Sequence, residues 1–249
     1  MHPTISDSEW QLRCDLAACY RLFVRFGWTD LIFTHLSARV PDSQDEYLIN
    51  PYGLLFEEIT ASNLIKVNFA GEVVAGNHPV NEAGHHIHSA ILQARPDINV
   101  ALHSHTRAGI AVSCMPQGVL PLSQQAMEVQ QFVCYHDYTF SVDDPELECR
   151  QLAQDIGDSW LMVMRNHGLL AAGRSVAEAF YLLYTLENAC KVQVDVLATT
   201  DEPVLPRADA VAGVARSTAL PADGPADFVE HSWAALRRQL ERQGSDWAT

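Results

Sequence analysis

The chain has 249 residues, 48% apolar and 19% charged, a globular composition with room for one large domain or two small ones. Its 31 acidic residues outnumber 16 basic ones, giving a net charge of -15. No Lys/Arg cluster interrupts this surplus, so nucleic acid and anionic membrane are excluded as partners, because both require counterion release by clustered cations.

In chain order, Ser6-Asp7-Ser8-Glu9 forms a capping box. It precedes a helix over Trp10–Phe26 with Leu12, Leu16, Cys19, Tyr20 and Phe23 on one face and Gly27 as its stop. Short strands are expected over Phe33–Val40, Glu46–Asn50 and Ile65–Phe69, set apart by Pro41-Asp42-Ser43 and Ala70-Gly71-Glu72. Asn81 or a neighbour caps a helix to about Ala94, ended by Arg95-Pro96-Asp97. Strands follow at Ile98–His103 and Ser159–Met164, with a helix opened by Asp143-Asp144-Pro145 between them. A second capping box, Ser175 to Glu178, starts a long apolar helix to about Leu197. Thr199–Asp227, rich in Ala, Pro, Asp and Gly, reads as an extended arm ending in a short helix over Phe228–Gln239. The expected organisation is one α/β domain, residues 1–198, with a C-terminal arm over 199–249.

The first residues lack the basic and apolar regions of a signal peptide, and no apolar run approaches the roughly 20 residues that span a bilayer. The six cysteines are scattered without a C-x-x-C pair. These features make a cytoplasmic protein with reduced thiols the expectation.

Eleven histidines stand out. His103 and His105 end the strand at 98–103, and side chains two apart on a strand share a face, as two ligands to one ion must. His167 lies just past the second strand in Arg165-Asn166-His167-Gly168, and would join them if the two strands are neighbours. Three histidines with an open position make a catalytic type of metal site. The alternative is a polar crevice of hydrogen-bonded imidazoles, and spacing leaves both open. Glu82, at the start of the preceding helix, is either a ligand or acid/base near the metal, or a residue stabilised by the helix dipole. His88 shares an apolar face with Ile91 and Leu92 and reads as a packed structural residue.

Several motifs in order, from about Trp10 to Leu197, carry a family resemblance. They are Phe33-Thr-His-Leu-Ser-Ala-Arg-Val40, Asn50-Pro-Tyr-Gly-Leu-Leu-Phe56, His88-Ser-Ala-Ile91, Arg95-Pro-Asp97 with His103-Ser-His105, Tyr135-His-Asp-Tyr138 and Arg165-Asn-His-Gly168. Together they resemble the class II aldolase/adducin family, and within it the adducin head domain, above all over Ala108–Tyr138 and Ala177–Gln193. The resemblance implies a three-layer α/β/α fold around a largely antiparallel sheet. It also implies a homotetramer with active sites between subunits. By the same resemblance His103, His105 and His167 hold a divalent metal, usually zinc, although Mn, Fe or Co also suit three histidines. Glu82 takes the place of the family's proton-shuttling acid.

Two departures shape the functional expectation. Adducins carry glutamine where this chain keeps Glu82, which favours an enzyme over a scaffold. Sugar-phosphate aldolases grip phosphate with small donors where this chain has Thr34-His35, Tyr52-Gly53 and Val80-Asn81. The implied activity is therefore a metal-dependent carbon–carbon lyase, an aldolase or decarboxylase working through a stabilised enolate on a non-phosphorylated hydroxy-carbonyl or hydroxy-acid. In it Glu82 moves the proton and Tyr138 donates to the departing oxygen. His35 and Arg107 grip a carboxylate, and Tyr52, Gly53 and Asn81 are further substrate-binding candidates. Competing with these roles are a buried aromatic for Tyr138, a packed polar residue for His35 and a surface salt bridge for Arg107. The rival functions are an adducin-like binding module and a sugar-phosphate epimerase or dehydratase.

Overall fold

The computed structural model describes residues 5–139, 144, 146–221, 224–244 and 246–249. Helix α1 (Asp7–Phe26) begins as expected, with the Ser6 side chain accepting from the Glu9 amide. It leads into β1 (Leu36–Arg39), β2 (Glu46–Ile49), β3 (Ile65–Asn68) and β4 (Val73–Ala75). Then come α2 (Glu82–Ala94), β5 (Val100–Ser104), α3 (Arg107–Ser113), α4 (Gln124–Val129) and β6 (Val133–His136). The chain continues through α5 (Glu146–Ile156), β7 (Leu161–Met164), β8 (Gly168–Gly173), α6 (Val176–Leu197), α7 (Ala208–Ser217) and α8 (Asp227–Glu241). Asp143 and Pro145, read as the opening of α5, lie outside the described residues.

Among the described residues, eight strands form one sheet in the order β4-β3-β2-β1-β5-β8-β7-β6. Every pairing is antiparallel except β6 with β7, as the expected class requires. Side-chain alternation divides the core into the two expected layers. Leu161, Val163, Leu169 and Ala171 face α1 and α6, in one buried cluster. Met162, Met164, Leu170 and Ala172 face α2 and α5 on the opposite side, with Ile87, Ile91, Leu152 and Ile156. On β5 the same rule turns Leu102 toward the first layer and leaves the His103 side chain on the α2 face.

Two expectations need correction. The strands at 98–103 and 159–164 are not neighbours, because β8 lies between them, paired to both. Each is antiparallel to β8, so their C-terminal ends still point the same way. Residues 199–227 are not simply extended, since α7 forms within them and packs against α4, with Gln131 Nε2 donating to the Ala215 carbonyl at 2.9 Å. The short helix expected over Phe228–Gln239 is α8 (Asp227–Glu241). α8 lies on α6 and α1, Val229 and Trp233 enter the core, and the Ala61 amide donates to the Trp247 carbonyl at 2.8 Å. Among the described residues no helix is long and apolar enough to cross a membrane.

Candidate metal centre and its cavity

β5 delivers His103 and His105 to the α2 face of the sheet, and the β7–β8 hairpin brings His167 to them. The hairpin turns through Asn166 in the left-handed region (φ 58). Gly168 then enters β8 so close to β5 that a Cβ there would sit 2.3 Å from the Ser104 carbonyl oxygen. Only a residue without a side chain lets the turn close on this strand end.

The three imidazoles converge through one kind of atom. His103 Nε2 lies 2.8 Å from His105 Nε2, which lies 3.0 Å from His167 Nε2. Behind them, His103 Nδ1 donates to the Leu169 carbonyl at 2.9 Å, and His105 Nδ1 donates to the Asp30 carboxylate at 2.9 Å. With both Nδ1 atoms committed as donors, the neutral rings carry bare lone pairs on Nε2. Such lone pairs repel at this separation, and a divalent cation among them would make the arrangement favourable. Burial, reinforced by neighbouring imidazoles, pushes His103 well below the ordinary histidine range, and His167 down to about 4. His103 and His167 are thus held neutral, as metal ligands must be. Among the described residues the buried His167 Nδ1 has no hydrogen-bond partner, and this third ring is packed against the Tyr138 ring, 4.8 Å away.

These histidines line a cavity of about 760 Å³ that also receives Glu82, Asn81, Tyr52, Tyr138 and His35. Glu82 is exposed at the first position of α2, whose N-terminus is capped by the Asn81 side chain accepting from the Gly84 amide at 3.2 Å. Tyr138 is 50% exposed, so the buried-aromatic alternative fails for it. His35 is buried beside His103, the ring centroids 5.1 Å apart and nearly parallel. Its backbone is held by Tyr20, whose buried hydroxyl lies 2.6 Å from the Leu36 carbonyl and accepts from the Leu36 amide at 3.0 Å. Gly53 and Arg107 are not part of the cavity wall. Arg107 is exposed at the start of α3 and, among the described residues, forms no ion pair, so the salt-bridge alternative is not realised within the chain.

Sequence reading missed several residues of the wall: Asp30, Phe33, His86, Thr139 and Glu148. Asp30 sits in the irregular segment after α1, where periodicity is silent, and Phe33, read as the start of a strand, lies before β1, which begins at Leu36. Glu148 reaches the cavity from α5 through His136, a fully buried imidazole placed 3.0 Å from Glu148 and 2.8 Å from Asp155. The second carboxylate oxygen of Glu148 accepts from the Thr139 amide at 2.9 Å, tying the chain beside Tyr138 to α5. A separate apolar groove of about 290 Å³ between α6 and α8 holds no acid, imidazole or thiol.

Comparison with known proteins agrees with this architecture. Residues 14–194 match the family described as Class II Aldolase and Adducin N-terminal domain. A crystal structure of an aldolase II superfamily protein from Pseudomonas syringae is similar at 43% identity and TM-score 0.92, over 99% of this chain and 98% of that one. L-fuculose 1-phosphate aldolase from Glaciozyma antarctica is similar at 25% identity and TM-score 0.85, over 99% of this chain and 95% of that one. Alpha-adducin from Rattus norvegicus is 46% identical over 199 residues, 78% of this chain but only 27% of the adducin. Aldolase-like neighbours over the whole length support a lyase-type function, and the matched residues include the entire histidine cluster. The chain belongs to the class II aldolase/adducin family.

Proposed function

We propose that this protein is a divalent-metal-dependent carbon–carbon lyase, an aldolase or decarboxylase, acting on a non-phosphorylated hydroxy-carbonyl or hydroxy-acid. The observation that carries the proposal is the convergence of three Nε2 atoms in a cavity that Glu82 and Tyr138 also line. The metal, zinc in the first instance, would supply a Lewis acid that polarises a substrate carbonyl and offsets the charge developing on its oxygen. Glu82, open to the cavity, takes up or returns the proton at the reacting carbon. The Tyr138 hydroxyl donates to the oxygen of the leaving fragment, and Asn81 and Tyr52 orient the substrate's hydroxyls.

The electrostatics of the wall argue against a sugar phosphate. Among the described residues it contains Asp30, Glu82 and Glu148 but no Lys or Arg. A dianionic phosphate needs several converging donors, preferably cationic, and three carboxylates would repel it. The catalytic unit is residues 1–198, braced by the helices of 199–249, and it assembles as a homotetramer with sites between subunits. The likeness to alpha-adducin favours a second reading, a binding module without catalysis.

Metal content of the purified chain decides between them. The lyase reading expects about one divalent ion per chain, lost when His103, His105 and His167 are replaced by alanine. It also expects Glu82→Gln to keep the metal and lose turnover. Metal well below half an equivalent, without prior chelation, would leave the scaffold reading standing. A monomeric mass at micromolar concentration would remove the tetramer.

A further inference from the structure

Beside the metal cluster lies a second set of histidines that the proposed chemistry does not use. His35 and His103 are cross-strand neighbours at the ends of β1 and β5, and the His103 amide donates to the His35 carbonyl at 3.2 Å. Behind His35, its Nδ1 lies 2.7 Å from His88 Nε2, and His88 Nδ1 is in short contact with Ser37 Oγ. His88 is on α2 and Ser37 on β1; His35 stands just before β1, two residues from Ser37, and both side chains meet His88. Ser37 and His88 have no exposed surface, and His35 has 3%.

Proton accounting fixes the direction of this chain. The Ser37 hydroxyl has one proton, and among the described residues its only side-chain contact is His88 Nδ1. If His88 donated to Ser37, that hydroxyl proton would be buried without an acceptor, a loss comparable to an unmade hydrogen bond. The arrangement that satisfies every atom has Ser37 donating to His88 Nδ1. His88 Nε2–H then donates to His35 Nδ1. His35 is left with its proton on Nε2, the ring atom for which the described residues offer no hydrogen-bond partner, in a residue that lines the cavity. Burial keeps the chain in its neutral form, pushing His88 down to about 3.

We infer that His35 is a fixed hydrogen-bond donor to the ligand, oriented by the one-way chain Ser37 to His88 to His35, and that it takes an oxygen acceptor: the carboxylate or carbonyl of a hydroxy-acid. With Nε2 protonated, His35 is neither a fourth metal ligand nor a general base, although it stacks on a metal-binding candidate. It is a specificity residue, favouring a ligand whose acceptor oxygen lies beside the atoms that reach the histidine cluster. The choice of ligand rests on the lyase reading; the proton order does not.

Long-range 1H–15N spectra of full-length, zinc-loaded protein labelled with 15N-histidine test both parts. His35→Gln and His88→Gln assign the rings, and glycolate serves as the smallest hydroxy-acid probe. Both wild-type rings are expected with Nε2 protonated, and glycolate is expected to shift the His35 Nε2–H resonance without changing its tautomer. Ser37→Ala, a small change that keeps the strand, should remove the single tautomer of His88. It should also weaken glycolate about tenfold, the worth of one directed hydrogen bond. A proton on Nδ1 of either wild-type ring overturns the chain, and a His35 Nε2–H that ignores glycolate overturns the ligand role. Correct tautomers and a glycolate shift in a protein with no lyase turnover would leave the donor in place and refute only the catalytic reading.

Discussion

Loss of the Asp30 carboxylate tests whether the histidine cluster is built as a metal site. Asp30 Oδ2 stands 2.9 Å from His105 Nδ1, with the aspartate side chain 44% exposed and the imidazole 18% exposed. At that exposure, solvent screens most of the direct charge attraction. What remains is orientation: the contact fixes the rotation of the His105 ring and leaves Nε2 open to an ion. Groups of this kind are worth about 10- to 100-fold in metal affinity, or about 1.4–2.8 kcal/mol. The open position of Asp30 places Asp30→Ala toward the middle of that range, about 30-fold. Asp30→Asn keeps an acceptor oxygen and should lose only a few-fold. His103 is held by the Leu169 carbonyl, which no side-chain substitution removes, so zinc binding weakens without vanishing. Competition with a chromophoric chelator at fixed pH reads the affinity, and far-UV circular dichroism confirms the fold. Zinc affinity of Asp30→Ala within twofold of wild type would reduce the contact to an incidental surface pair and refute the reasoning.

Other perturbations probe the frame around the site. Gly84→Ala in a helix ordinarily gains about 1 kcal/mol, but here the new Cβ would lie 2.6 Å from His35 Cδ2. The expected result is a loss of about 1–3 kcal/mol, and a raised melting temperature would show that α2 is not seated on His35. Glu9 is buried and bonded to Arg13 Nε and Lys66 Nζ, each at 2.9 Å. Burial opposes its charge, but the hydrogen bonds from Lys66 and Arg13 prevail and hold the carboxyl below its ordinary value. Its stabilisation is therefore complete above the unfolded-chain pKa of about 4.3 and is lost as pH falls through the lower folded value. Glu9→Gln should cost about 3 kcal/mol in denaturant unfolding at pH 7, with the gap narrowing toward pH 3; a gap independent of pH contradicts the assignment. Trp247 is 2% exposed, with Arg237 stacked over its ring. Trp247→Ala should cost about 3–5 kcal/mol in the same assay, and a loss below 1 kcal/mol would mean the C-terminal segment is not part of the core.

How much of this was legible in sequence depends on whether the information was local. Capping boxes marked the starts of α1 and α6 because a cap is a contact across three residues. Alternation placed His103 and His105 on one face without further knowledge. His167 was different: its approach depends on β8, whose run Gly-Leu-Leu-Ala-Ala-Gly has neither alternation nor β-branched residues to mark it. That strand is buried on both faces, and only the pairing with β5 and β7 makes it a strand. Asp30 was invisible for a similar reason, as its partner is 75 residues away. Helix α7 was hidden by composition, because the Pro and Gly around it read as arm while Ala208–Ser217 holds enough alanine to form a helix once α4 offers it a surface. His88 was read as a packed residue, and its packing is the hydrogen-bonded chain to His35.

Ser104 and Thr106, which alternate with the two strand histidines, explain how the site is kept in place. Ser104 lies opposite His103 and His105 in the alternation, so it turns toward α6, and Thr106 follows. Both donate to the same atom, Glu187 Oε1, at 3.0 and 2.6 Å. Glu187 has no exposed surface, and burial raises its carboxyl above the ordinary range. Thr106 also accepts from the Gly109 amide at 3.1 Å, so one hydroxyl both starts α3 and anchors the strand end to α6. A buried carboxyl tolerates little displacement of its donors, because each lost hydrogen bond leaves a polar atom stranded in the core. The period of two that aims both imidazoles into the cavity therefore also provides the grip that stops the strand end from moving. A metal-binding strand with apolar residues at 104 and 106 would present the same ligands, but with nothing on its reverse side to hold their spacing.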